Sequence, residues 1–280
     1  MGYDQYLSYS GRKAYECPSQ YQHRYILKTQ VPRDPRTSFF GSMIGKVFEW
    51  FYERSVWADP DPEAVAVSLI PEAVRFVLQD EGFSRSQDPT YVANVEEEVR
   101  DLVPKGVGVI RDHRLLSPNS RAEIDLTVNY TSQKHGMTVR LGGRTDFVHY
   151  QSPEDVWILD GKGSRHREKY VDSEQVIWYA VQHYLKYRVA PSRLGFLYWR
   201  FPKDPVQWIE YDEQSMRDSL DRTFDVVKRI RLKMFDPKPS SACHRCDYRP
   251  HCSEGTRYLA ERRVETGGRI ESSVFDLEQV

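Results

Sequence analysis

Cysteine is scarce in this chain, with four in 280 residues, so a disulfide-stapled scaffold is excluded. Long apolar runs are missing too. The most apolar stretches, 64–78 and 177–185, are broken by Pro71, Glu72, Arg75, Gln182 and His183, and neither can span a bilayer. The opening MGYDQYLSYSGRKAYE lacks the apolar core of a secretory signal. Tyr6 stands where a myristoylation motif needs Ser or Thr. These absences lead to the expectation of a cytoplasmic protein. Net charge is nearly absent as well, since 40 Lys and Arg stand against 41 Asp and Glu. That rules out a uniformly basic coat for nucleic acid but leaves room for a local basic groove.

What is present is an ordinary globular composition, 39% hydrophobic and 29% charged. A chain of this length buries roughly three quarters of its unfolded surface, so it needs no outside staple. Three of the four cysteines crowd into CHRCDYRPHC, at Cys243, Cys246 and Cys252. In a reducing compartment such clustering favours a metal or cluster site over disulfides. Three thiolates leave a four-coordinate site one ligand short, and Cys17 is the candidate to complete it. His244 and His251 read as polar neighbours.

Residues 1–30 carry aromatic and basic residues at helical spacing, and Pro18 places Cys17 at a helix start. FFGSMIGKVFEWFYERSVW reads as a long helix with Ile44, Val47, Phe48 and Phe51 on one face. Further helices are expected around 63–80 and 90–103. Period-two alternation then predicts strands at 122–130, 138–150 and 156–163. A helix over 172–188, two strands in RLGFLYWRF and VQWIEYD, and a helix over 212–235 follow. The order predicts a mixed α/β domain with a central sheet over residues 1–264, carrying a helical insertion at about 55–115. The stretch 265–280 reads as a mobile tail.

The segment GGRTDFVHYQSPEDVWILDGKGS carries the chemistry. Asp160 and Lys162 stand one residue apart on a strand and so share a face, with Asp146 placed to meet them from the preceding strand. Two carboxylates brought together repel unless a cation lies between them, and hard oxygen donors suit Mg²⁺ or Mn²⁺. A lysine beside them can orient a water and neutralise charge on a phosphate. Asp160 follows the apolar VWIL run of a buried strand, where unpaired charge is costly. Gly142, Gly143, Gly161 and Gly163 are expected to keep the surroundings open to a large ligand. Glu123 and Asp125, also at i, i+2, lack an accompanying lysine or glycine and read as surface residues or as residues just behind the metal ligands. The basic KGSRHREK suits a phosphate backbone, and Gln175 and Tyr179 share the face of the next helix. Trp50, Trp57, Trp178, Trp199 and Trp208 are expected in the core. Tyr9, Tyr15 and Tyr21 are weaker candidates for base stacking.

Taken together, LSYSGRKAYECPSQYQHRY (7–25), GSMIGKVFE (41–49), GGRTDFV (142–148), ILDGKGS (158–164), QVIWY (175–179) and CHRCDYRPHC (243–252) resemble, in order, the RecB-like PD-(D/E)XK nucleases. The likeness is to the iron–sulfur branch, which includes CRISPR-associated RecB-like, AddB-type and phage exonucleases. The resemblance implies a restriction-endonuclease-like core, with N- and C-terminal segments joined by an iron–sulfur cluster. It also implies a deoxyribonuclease, an exonuclease on single-stranded DNA or DNA ends, working with Mg²⁺ or Mn²⁺. Asp146, Asp160 and the Gly161 carbonyl would hold the metal, Lys162 would be the catalytic lysine, and Gln175 and Tyr179 would contact DNA. Cys17, Cys243, Cys246 and Cys252 would hold a [4Fe–4S] cluster rather than zinc. The family usually has a metal-binding histidine where this chain has Gly45, and Glu49 is the nearest acidic substitute. That departure motivates a second reading, a non-catalytic DNA-binding or assembly subunit. The partners implied are DNA and proteins of recombination, phage replication or CRISPR adaptation.

Overall fold

Helix caps and apolar spacing account for most of the elements. The computed structural model describes residues 5–31, 36–79, 88–115, 119–164 and 173–265. The elements begin with β1 (Gln5–Ser8), α1 (Tyr9–Ala14), α2 (Pro18–Tyr21) and a π-helical turn at Gln22–Ile26. There follow α3 (Arg36–Glu53), α4 (Pro62–Ser68), α5 (Ile70–Leu78) and α6 (Pro89–Asp112). Next come β2 (Ser120–Asp125), β3 (Val128–Ser132), β4 (Met137–Gly142), β5 (Arg144–Tyr150) and β6 (Val156–Lys162). The chain continues through α7 (Ser173–Tyr187), β7 (Arg193–Tyr198), β8 (Val206–Ile209), α8 (Glu213–Arg231) and α9 (Ser253–Glu265). Apart from Glu265, the tail expected at 265–280 lies outside the described residues, as do Arg165, Arg167 and Lys169 of the basic stretch.

Two compact units divide the chain: residues 34–130 with 141–220, and residues 1–33 with 131–140 and 221–280. In the larger unit a five-stranded sheet runs in the order β2-β5-β6-β7-β8, antiparallel except for the parallel pair β6–β7. The parallel pair is joined through α7, as a crossover connection requires. Phe147, Leu159, Leu197 and Trp199 pack into the core that α3 to α6 build. Ile44, Val47, Phe48 and Phe51 are all buried, as the spacing of α3 predicts. This is the mixed α/β architecture expected, compatible with a restriction-endonuclease-like fold.

Three local expectations fail for physical reasons. The helix expected to stop near 103 runs through Pro104 to Asp112. Val103, Val107 and Ile110 are at most 1% exposed, and each such burial is worth about 1.5–3 kcal/mol. That outweighs the hydrogen bond the proline removes. The single strand expected over 122–130 is two strands, because the Asp125 carboxylate accepts from the Thr127 N–H at 2.8 Å and turns the chain. The expected 138–150 strand is likewise divided, into β4 and β5, at Gly143.

The smaller unit begins with a strand where helical spacing pointed to a helix. Ser8 then caps α1, accepting from the Gly11 N–H at 3.1 Å. Its three-stranded sheet has the order β1-β4-β3. Cys17 is the N-cap of α2 with Pro18 following, the placement the sequence predicts. Tyr15 and Tyr21 are 5% and 3% exposed, so neither is a base-stacking platform. Tyr15 donates to the Met234 carbonyl at 2.5 Å, and Tyr21 packs among Tyr15, Tyr25 and Phe235. The Tyr9 ring carries the Arg12 guanidinium 5.3 Å from its centre.

Candidate active site and thiol cluster

Strand register assembles the carboxylates. On β5 and β6, Phe147 faces Leu159 and Val148 faces Ile158, so one step further Asp146 comes opposite Asp160. On β2 and β5, Ala122 faces Phe147 and Ile124 faces Thr145, which puts Glu123 opposite Asp146. Three carboxylates therefore lie in a row across adjacent strands. Glu123 holds a left-handed backbone, with φ of 52°, inside a strand. A non-glycine residue in that region is strained, and such strain persists where the surrounding structure fixes it.

A hydrogen-bonded network ties β6 to α7. The Lys162 ammonium lies 2.5 Å from Asp160 Oδ2 and donates to Gln175 Oε1 at 2.9 Å. Gln175 Nε2 in turn donates to Asp160 Oδ1 at 2.8 Å and to the Tyr179 hydroxyl at 3.1 Å. The four residues form one network that links β6 to the helix following it. Asp146 is positioned from the other side, its Oδ2 accepting from the Gly161 N–H at 2.8 Å.

Asp146 and Glu123 line a cleft of ≈ 300 Å³ with Gly45, Lys46, Glu49 and Arg144. Burial, then the neighbouring Asp160 and Glu123, push the Asp146 carboxyl well above the usual carboxylate range. Glu123 is also pushed up, first by burial and then by Glu49, against the pull of Arg144 and Lys46. Burial holds the Tyr179 phenol far above its ordinary value, so it stays a neutral donor. Glu49 is ion-paired to Lys46 on the next turn back. A Cβ on Gly45 would meet nothing within 4 Å, so the cleft is open at that position.

Desolvated carboxylates side by side are a donor set that a hard divalent cation relieves. Among the described residues no three His, Cys, Asp or Glu close on a single-ion position. The Asp146 and Asp160 carboxylates offer donors for one or two positions, and Mg²⁺ typically takes one or two carboxylates and keeps waters or substrate phosphates for the rest. The residues present fit such an ion.

The family model of the PD-(D/E)XK nuclease superfamily matches residues 6–253, nearly the whole chain. The chain belongs to that superfamily. Its members are generally metal-dependent nucleases that use Mg²⁺ or Mn²⁺. No curated protein matches this nuclease-family chain in sequence. A solved structure described as "Crystal structure of SSO0001" is similar over 57% of this chain and 79% of its own, at 14% identity and a TM-score of 0.35. No helix among the described residues is long and apolar enough to cross a membrane.

The sequence leaves Glu123 either on the surface or just behind the metal ligands; cross-strand register, invisible in one sequence, brings it to the cleft. Asp125, its companion, is exposed as expected. The strand glycines also act differently from the expectation of open space. A Cβ at Gly143 would fall 2.1 Å from Gln182 Oε1, at Gly163 2.6 Å from the Phe40 ring, and at Gly161 3.0 Å from Trp199 Nε1. All three pack against the protein's own side chains, and Gly161 and Gly163 also line the cleft. Trp208 is 37% exposed and leaves the core list, while Trp50, Trp178 and Trp199 are buried and Trp57 is partly so.

The four cysteines gather in the smaller unit, all half-buried and unpaired. Cys246 is pushed up by burial and by its neighbours Cys17 and Cys243. A Cβ at Gly255 would lie 3.4 Å from Cys252 Sγ and 3.5 Å from Cys243 Sγ. Backbone N–H groups of Lys238, Ser240 and Gly255 point to the sulfurs of Cys17, Cys243 and Cys252 at 3.5, 3.4 and 3.3 Å.

Proposed function

We propose that this chain is a Mg²⁺- or Mn²⁺-dependent deoxyribonuclease of the RecB-like, iron–sulfur kind, an exonuclease acting on single-stranded DNA or DNA ends. The observation that carries the reading is the Asp146–Asp160 row joined to the Lys162–Gln175–Tyr179 network. Asp146, Asp160 and the Gly161 carbonyl would hold the ion, with Glu49 nearby in the cleft. The ion would supply Lewis-acid polarisation and charge neutralisation at the scissile phosphate.

The chain's own residues do the rest. Water releases a proton to solvent as its oxygen bonds to phosphorus, the opposite P–O ester bond breaks, and the departing oxygen takes up a proton from solvent. Lys162, fixed by Asp160 and Gln175, presents its positive charge where the phosphate gains negative charge. Gln175 holds Lys162 and Asp160 in register, and the Tyr179 hydroxyl, already accepting from Gln175, offers its proton to a phosphate oxygen. Asp160→Ala and Lys162→Ala proteins that still fold are expected to lose Mn²⁺-dependent degradation of linear DNA. Undiminished cleavage by both would reject the assignment.

For Cys17, Cys243, Cys246 and Cys252 the proposed occupant is a [4Fe–4S] cluster with a structural role. What supports it over zinc is the spacing, one distant cysteine with a close trio, where zinc ribbons pair two short C-x₂-C knuckles. Anaerobic purification with iron and sulfide analysis is the test, and colourless protein with stoichiometric zinc overturns it. The open space at Gly45 favours one second reading, a non-catalytic DNA-binding or assembly subunit weakened in metal binding. It predicts salt-sensitive DNA binding with no cleavage at any divalent ion.

A further inference from the structure

The two units carry opposite charge. Residues 1–33, 131–140 and 221–280 hold 19 Lys and Arg against 12 Asp and Glu, and the remaining residues hold 21 against 29. A polyanion is repelled by the second set, which contains the carboxylate cleft, so its backbone affinity must come mainly from the first. Within the smaller unit the excess concentrates at the end of α8. Phe224, Val227 and Ile230 are buried there at helical spacing, which turns Lys228, Arg229 and Arg231 outward. The helix ends at Arg231, and Lys233 two residues on holds the left-handed region with φ of 54°.

Apolar side chains stand among these cations. Leu232 is 63% and Met234 44% exposed, and in the 24–28 turn Ile26 is 49% and Leu27 57% exposed beside Arg24 and Lys28. Tyr21 connects the two stretches, with its ring 6.4 Å from Phe235 and 5.0 Å from Tyr25. Large exposed apolar groups rimmed by charge mark an interaction surface, and cations interleaved with apolar faces suit a strand whose bases are unpaired.

We propose that the end of α8 and the 24–28 turn form an anchoring surface for single-stranded nucleic acid, outside the carboxylate cleft. Lys228, Arg229, Arg231 and Lys233 meet phosphates, while Leu232 and Met234 pack against bases. The proposal deepens the nuclease reading and rests on it only for the identity of the polyanion.

The test uses the full chain with Asp160→Asn to prevent cleavage, and a labelled oligothymidine followed by anisotropy from 50 to 300 mM KCl. Each phosphate contact on a single strand contributes about 0.7 to the slope of log K against log salt. Replacing Lys228, Arg229, Arg231 and Lys233 with Gln is expected to flatten that slope by about 2–3, and Arg24→Gln with Lys28→Gln by about 1. Leu232→Ser with Met234→Ser should weaken binding at least about fivefold and leave the slope alone. Because the two charge variants lie on different elements, misfolding of one leaves the other decisive. An unchanged slope in a folded variant overturns the proposal. So does a result in which the cations govern self-association, through the acidic unit of a second copy, and not DNA binding. Failure of the nuclease reading looks different: no cleavage by the unmutated chain, with the slope changes intact.

Discussion

Asp146→Asn isolates the electrostatics of the carboxylate row. Opposed side chains on neighbouring antiparallel strands have Cβ atoms about 5 Å apart. At an effective dielectric constant of about 20, two full charges at that distance repel by about 3 kcal/mol. Asp146 faces two such neighbours, Glu123 and Asp160, but Lys162 offsets Asp160, and Arg144 and Lys46 partly offset Glu123. The asparagine keeps an acceptor for the Gly161 N–H and loses only charge assistance, about 1 kcal/mol. The metal-free variant should therefore be more stable than the natural chain by about 2 kcal/mol, raising Tm by roughly 4–8 °C near pH 7.5. Direction with pH follows from the raised carboxyls. A group whose value is raised on folding favours the fold at low pH and loses that advantage as pH rises through its folded value. The gap between variant and natural chain should thus widen from pH 5 to pH 8. Saturating Mn²⁺ should reverse the ranking, since an ion at 100 times its Kd stabilises by about 2.7 kcal/mol only the chain that binds it. Differential scanning fluorimetry with EDTA or Mn²⁺ reads all of this. A lower Tm for metal-free Asp146→Asn would refute the repulsive row, and equal Mn²⁺ shifts in both proteins would refute its role as a ligand.

Three further outcomes are expected. Gln175→Ala removes the bonds to Lys162, Asp160 and Tyr179 together, so it should cost about 1–2 kcal/mol in chemical denaturation and at least about tenfold in nuclease rate; full activity would show that the network positions nothing. Gly106→Ala should lower Tm by several degrees despite better helix propensity, because its Cβ would fall 2.5 Å from Phe48, stacked on Trp199 at 4.2 Å, and overpacking costs about 1–3 kcal/mol; a rise in Tm would show that the stack yields freely. Burial lowers the values of His149 and His183, so their contribution is complete above pH of about 6.5 and is lost as pH falls through the unfolded value, and His149→Gln should lose less Tm than the natural chain between pH 7 and pH 5.

The sequence by itself determined the mixed α/β class, the apolar face of α3, the start of α2 at Cys17, and the Asp146, Asp160 and Lys162 motif. Each of these rests on local spacing or backbone chemistry that a few neighbouring residues set. Even the Gln175–Tyr179 pair was legible, because helical periodicity puts residues four apart on one face. Tertiary structure decided what lies across from what. Glu123 became part of the cleft through strand register with Asp146, and Gln175 became the bridge between Lys162 and Asp160 through the packing of α7 on β6 and β7. Gly143, Gly161 and Gly163 proved to be slots for Gln182, Trp199 and Phe40, and Tyr15 and Tyr21 proved to be core. These outcomes depend on contacts between residues far apart in the chain. Their partners are fixed by the sum of packing and hydrogen bonding over the fold, which no single segment encodes.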